Sequence, residues 1–113
     1  NGGVESLAQA RQLARKTGLD GIMIGRGVLG NPWFFSGRTP DICERMGAIV
    51  EHAEIFEKLR EEENCFKSFD IVKKHLNAYA TGFYGAKDFR DRLVKVKNAI
   101  EAKKVVENFL RLR

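Results

Sequence analysis

Apolar positions along this chain recur at helical spacing in five stretches, and one short apolar run stands apart from them. Leu7, Ala10, Leu13 and Ala14 share one helix face, and the spacing predicts a helix over 4–17. Ser6 followed by Gln9 fits a capping box at its start, and Gly18 suits the left-handed residue that closes it. The separate run is Gly21-Ile22-Met23-Ile24, apolar at every position but the glycine, as in a strand buried on both faces of a parallel sheet. A helix leading closely into such a strand is the second half of a βαβ unit. Its first strand is expected before Asn1, and Ile22-Met23-Ile24 has no sheet partner within the sequence.

After Gly30-Asn31-Pro32 and the aromatic Trp33-Phe34-Phe35 the pattern turns wholly helical. Thr39-Pro40 reads as N-cap and first helical residue. Ile42, Met46, Ile49, Ala53 and Phe56 then mark a helix to about Arg60. Phe69, Val72, Leu76, Tyr79 and Phe83 mark a second, ended by Gly82 and Gly85. Phe89, Leu93, Val96 and Ile100 mark a third. Val105, Val106, Phe109 and Leu110 mark a fourth, after an interruption near 98–102. Four amphipathic helices on short links predict an antiparallel bundle.

Composition narrows the class. The 113 residues suffice for one small domain, and no apolar run approaches the roughly 20 residues of a membrane span. Nothing argues for secretion, and the absence of an initiating methionine before Asn1-Gly2-Gly3 suggests a piece of a longer protein. Cys43 and Cys65 lack metal-ligand spacing and read as free thiols in a reducing compartment. His52 reads as a lone histidine on a solvated face, and no metal site is expected.

The formal charge of +5 is unevenly spread. Residues 1–40 carry five basic against two acidic residues, 41–65 carry three against eight, and 66–113 carry twelve against five. A local +7 at one end is a mild sign of a polyanionic partner.

The chemistry-bearing motif is Gly25-Arg26-Gly27, directly after the apolar run. Glycines there let the backbone turn and let another group approach. Free amides of a following helix, with the arginine, would make an anion site. In (β/α)₈ barrels a phosphate site commonly follows the last two strands.

Asn1-Gly2-Gly3, the stretch TGLDGIMIGRGVLGNPWFF, the stretch KKHLNAY at 73–79 and Phe89-Arg90 together resemble the tRNA-dihydrouridine synthase family, in register over nearly the whole chain. The similarity is closest to the bacterial, nitrogen-regulation-protein-like branch. It implies a mainly α chain: the last α/β unit of an FMN-binding (β/α)₈ barrel over 1–38, then a helical tRNA-binding domain over 39–113, with the four helices as a bundle. It also implies a cytoplasmic flavoenzyme that reduces the C5–C6 bond of uridine in tRNA, with FMN as hydride donor and NADPH as reductant.

By the same resemblance, the amides of Gly25 and Arg26 hold the FMN phosphate, and Asn1 and Gly3 lie near its ribityl and phosphate portion. Gly3 replaces a residue usually acidic in the family, which leaves only a backbone contact there. The KKHLNAY helix belongs to the surface that meets tRNA, and the RNA contacts expected are Lys73, Lys74, His75, Lys87, Arg90 and Lys97. Of these, the lysines and Arg90 lie off the apolar stripes and are expected to face outward. Ala78 stands where the family often has tryptophan. The family's catalytic cysteine has no counterpart, so no catalytic residue is assigned and the chain alone is expected to be inactive. Its partners are then tRNA and an N-terminal barrel in cis. The alternative from the residues alone is a stand-alone helical module that binds RNA or protein without chemistry of its own.

Overall fold

A computed structural model of the chain describes residues 3–65 and 67–113. It divides into two compact units, 3–40 and 41–113.

The first unit holds α1 (Leu7–Thr17) and two short 3₁₀ turns, Arg26–Val28 and Phe34–Ser36. Ser6 caps α1 as expected, its hydroxyl accepting from the Gln9 amide at 3.1 Å. The Gln9 side chain accepts from the Glu5 amide, one residue before the cap, so the capping box is displaced rather than reciprocal. Gly18 closes the helix at φ 72°, where any side chain would be strained. Val4, Ala10 and Phe34 are buried, and Phe35 is exposed and meets Phe34 edge to face at 5.1 Å.

The strand expected over 21–24 does not form: among the described residues there is no strand at all. A strand is defined by its neighbour's backbone, and this chain supplies none, so Met23 stays two-thirds exposed.

Among its described residues the second unit has four helices: α2 (Ile42–Glu62), α3 (Asp70–Ala78), α4 (Ala86–Leu93) and α5 (Ala99–Arg111). α2 packs on α3 and α5, and α4 packs on the same two. The stripes of α2 and α3 are thereby largely covered, while Ile100 and Leu110 of the later two expected stripes stay exposed. Met46, Ile49, Leu76 and Leu93 are completely enclosed, with Phe69, Val72, Phe89 and Val106 close behind.

Three boundaries differ from the expected ones. Asp41, not Thr39, caps α2: its carboxylate accepts from the Glu44 amide at 2.8 Å while Glu44 accepts from the Asp41 amide at 2.9 Å. Two satisfied donors outweigh a Thr-Pro start. α3 ends at Ala78, leaving Phe83 outside it. The third stripe is two structures, because α4 stops at Leu93 and Asn98 caps α5 by accepting from the Glu101 amide. Val96 is buried from within the intervening turn, and Ile100 faces solvent on α5.

Candidate functional site

The expected phosphate-binding residues fall on the first unit. Gly25 precedes the 3₁₀ turn Arg26–Val28, whose first internal bond runs from the Val28 amide to the Gly25 carbonyl at 3.3 Å. The amides ahead of that bond have no partner within the turn. Both Gly25 and Arg26 are exposed, and a Cβ on Gly25 would meet nothing within 4 Å. An open backbone beside a guanidinium fits the phosphate end of a nucleotide cofactor.

Gly3 is exposed at φ 75°, and its carbonyl accepts from the Gln9 side chain at 3.4 Å. Asn1 lies outside the described residues. A cavity of about 490 Å³ in this unit is lined by Ser6, Arg11, Asn31, Phe34 and Phe35, and neither Gly25 nor Arg26 reaches it.

Gly27 has a sharper requirement than its partner. A Cβ there would overlap the Val4 carbonyl oxygen, which is backbone and cannot rotate away. The second glycine of the pair therefore holds the turn against the segment before α1. Gly27→Ala should cost the first unit about 1–3 kcal/mol, read as faster amide exchange around Val4. Unchanged exchange would mean that the overlap relaxes freely.

The expected RNA contacts divide into two kinds. Lys74, Lys87 and Lys97 are exposed, Lys87 with only a loose 3.4 Å pair to Asp91. Lys73 and Arg90 face inward instead, which corrects the expectation that they are free. Lys73 Nζ lies 2.6 Å from Asp70 and donates to the Val94 carbonyl at 2.7 Å, at the end of α4. The hydrogen bond that Lys73 makes to the Asp70 carboxylate, with the lysine charge, holds that carboxyl below its ordinary range.

Arg90 donates to the Ala80 carbonyl, and Arg45 of α2 donates to Thr81 at 2.9 Å and Tyr79 at 3.4 Å. Three consecutive carbonyls past the end of α3 are thus gathered by two guanidiniums. A helix C-terminus leaves such acceptors unsatisfied and electronegative, so cations there are doubly favoured. Arg45 carries no local sequence signal for this role, because only tertiary packing brings it to 79–81.

His75 faces α2. Its ring stacks on His52 at 5.6 Å, and the Tyr79 hydroxyl shares a 3.2 Å hydrogen bond with His52 Nδ1. His52 is thus part of a half-buried cluster, not a lone residue on a solvated face. Burial first, then the charge of His75, lowers the pKa of His52. Burial first, then Glu51, raises that of Tyr79.

The sign for His52 follows directly. Its folded pKa lies below the unfolded value, so the unfolded chain binds the extra proton as pH falls below about 6.5. Stability is then lost progressively from there down through the depressed folded pKa. Thermal unfolding should occur at a lower temperature at pH 5 than at pH 7.5. His75→Gln, which removes the second cause, should narrow the difference. A melting temperature unchanged over that interval would contradict the cluster.

Cys43 and Cys65 are free thiols. Among the described residues no group of His, Cys, Asp or Glu is arranged to hold a metal ion. Nor is any of their helices long and apolar enough to cross a membrane.

The family model for dihydrouridine synthase matches residues 1–112. A probable tRNA-dihydrouridine synthase of Staphylococcus epidermidis is 32% identical over 96% of this chain and 33% of its own length. Proteins of the same description from Rickettsia conorii and Staphylococcus aureus are 27% and 28% identical, again over 96% of this chain. The chain spans about a third of the length of the curated relatives it matches. No solved structure matches it.

Proposed function

Because the chain belongs to the dihydrouridine synthase family, we propose that it is the C-terminal third of a cytoplasmic, flavin-dependent enzyme that reduces uridine in tRNA. The observation that carries this is the family match over 1–112. In this reading 1–38 completes the mouth of an FMN-binding (β/α)₈ barrel. Residues 39–113 form the helical tRNA-binding domain, its helices arranged as a bundle. When bound, FMN supplies the hydride for the C5–C6 double bond and is recharged by NADPH.

The chain's own residues bind and orient. The amides of Gly25 and Arg26, with the Arg26 guanidinium, hold the FMN phosphate, and the backbone of Gly3 with Asn1 lies alongside. Lys74, Lys87 and Lys97 neutralise tRNA phosphates. Lys73, Arg90 and His75 position those contacts by fixing α3 and α4, and do not themselves reach the RNA. The protonating cysteine belongs to the upstream barrel, since Cys43 and Cys65 lie in and just after α2. The strand over 21–24 forms once the barrel's neighbouring strand is present to pair with it.

Two arms test the reading on the 113-residue chain. After extensive dialysis it should be colourless, because a phosphate cradle alone does not enclose an isoalloxazine ring. It should still bind unfractionated tRNA weakly, with affinity falling steeply between about 50 and 200 mM salt. A chain that stayed yellow, or that bound no tRNA at the lower salt, would contradict this division of labour.

A further inference from the structure

Tyr84 is completely exposed, yet residues close to it in the chain are held in place. Just before it, the carbonyls of Tyr79, Ala80 and Thr81 are gripped by Arg45 and Arg90. Its neighbour Phe83 is anchored against Phe109 at 5.3 Å and Phe89 at 6.3 Å, with the Arg45 guanidinium 5.5 Å above its ring. Gly82 and Gly85 on either side adopt φ 74° and 83°, a turn that side-chain-bearing residues resist.

A fully exposed phenol on a backbone constrained in this way is not explained by packing. Beside it runs a cavity of about 240 Å³ whose apolar wall is Phe89, Val105, Phe109 and Leu112. Its rim carries two guanidiniums: Arg113, 6.0 Å above the Phe109 ring, and Arg92, paired at 3.3 Å with Asp88. The volume is below the roughly 300–1,000 Å³ of sites for drug-sized ligands. One flat ring fits, and the cationic rim inside the +7 segment suits a ring attached to phosphates.

We propose that Tyr84 is a stacking platform for an unpaired base of the bound tRNA, the base lying over the phenol at the mouth of this cavity, with Arg92 and Arg113 meeting the flanking phosphates. The proposal rests on the tRNA reading above and adds to it a specific contact. Stacking on a preorganised aromatic tolerates any base, because every base presents a π face. Its free energy is not counterion release, which separates it from the lysine contacts.

The test is titration of unfractionated tRNA and of a long RNA duplex with the parent chain, Tyr84→Ala and Tyr84→Phe, each at two salt concentrations. Tyr84 packs against nothing, so circular dichroism should be unchanged in both variants. Tyr84→Ala should weaken tRNA binding roughly five- to a hundredfold. The salt slope should stay the same, and duplex binding should be unaffected because its bases are already stacked. Tyr84→Phe should bind as the parent does. If the parent binds no tRNA, the tRNA reading fails and the proposal with it. If the parent binds and Tyr84→Ala binds equally well, only the stacking role is overturned. Tyr84→Ala that kept tRNA affinity but lost self-association in sedimentation would make the cavity a contact between copies, which also overturns it.

Discussion

Leu76→Ala should destabilise the second unit by about 2–5 kcal/mol, enough to unfold much of it. Leu76 is fully enclosed in the last turn of α3, the helix that packs on both α2 and α4. Truncation removes buried methyl groups and leaves a space that three helices must collapse to fill. For a unit of this size each kcal/mol shifts the melting temperature by about 4–8 °C. Leu76→Met, nearly equal in volume, should lose less than about 1.5 kcal/mol. Ile71→Ala, in the first turn of the same helix and half exposed, should stay within about 0.5 kcal/mol. Equal melting curves for Leu76→Ala and Ile71→Ala would show that α3 is not central to the core. The functional consequence is direct, since α3 carries Lys74 and holds His75 against His52.

Reversing Lys74, Lys87 and Lys97 together to glutamate should produce the largest loss of tRNA affinity. Each phosphate contact adds about one unit to the slope of log affinity against log salt, so the slope should fall by about three. At low salt the affinity itself should drop by well over tenfold, while thermal stability stays near the parent's because all three side chains are exposed. Lys73→Ala should behave in the opposite way. Its ammonium joins Asp70 to the Val94 carbonyl, so its loss should lower stability by about 1 kcal/mol and leave the salt slope in place. A triple variant that bound tRNA like the parent would reduce the basic surface to a solubilising one.

That contrast shows how far the sequence could be read. The stripes Met46-Ile49-Ala53 and Phe69-Val72-Leu76-Tyr79 are buried as their spacing implies, because helix periodicity alone decides which side chains face a neighbour. Ser6 and Gly18 mark the ends of α1 because capping is local chemistry. The same local logic misplaced the start of α2, where the nearby Asp41–Glu44 pair satisfies more donors than Thr39. It also ran one stripe through the turn at 94–98, since Val96 is buried without being helical.

Lysines offer no such signal. Lys73 and Lys74 are adjacent, off the apolar stripe and chemically identical, and the Asp70 carboxylate with the Val94 carbonyl just past α4 separates their roles by engaging Lys73. For the same reason Arg45 and Arg90 could not be assigned to the carbonyls at 79–81 before the helices were packed. The histidine cluster likewise depends on α2 and α3 meeting in one register, which sets His52 between His75 and Tyr79. At the glycine pair the residue types alone did not separate the two, and only the family resemblance placed the phosphate at Gly25 and Arg26. Packing distinguishes Gly27, which has no room for a side chain, from Gly25, which is open and left available to a ligand.

The most direct measurement is of dihydrouridine itself. Unmodified tRNA is incubated with the longer protein of which this chain is proposed to be the C-terminal third, with FMN and NADPH, and its nucleosides are weighed by mass spectrometry. The account predicts uridine carrying two added hydrogens, in a yield that falls when Lys74, Lys87 and Lys97 are reversed. An enzyme that held its flavin and bound tRNA, yet left every uridine unreduced, would contradict it.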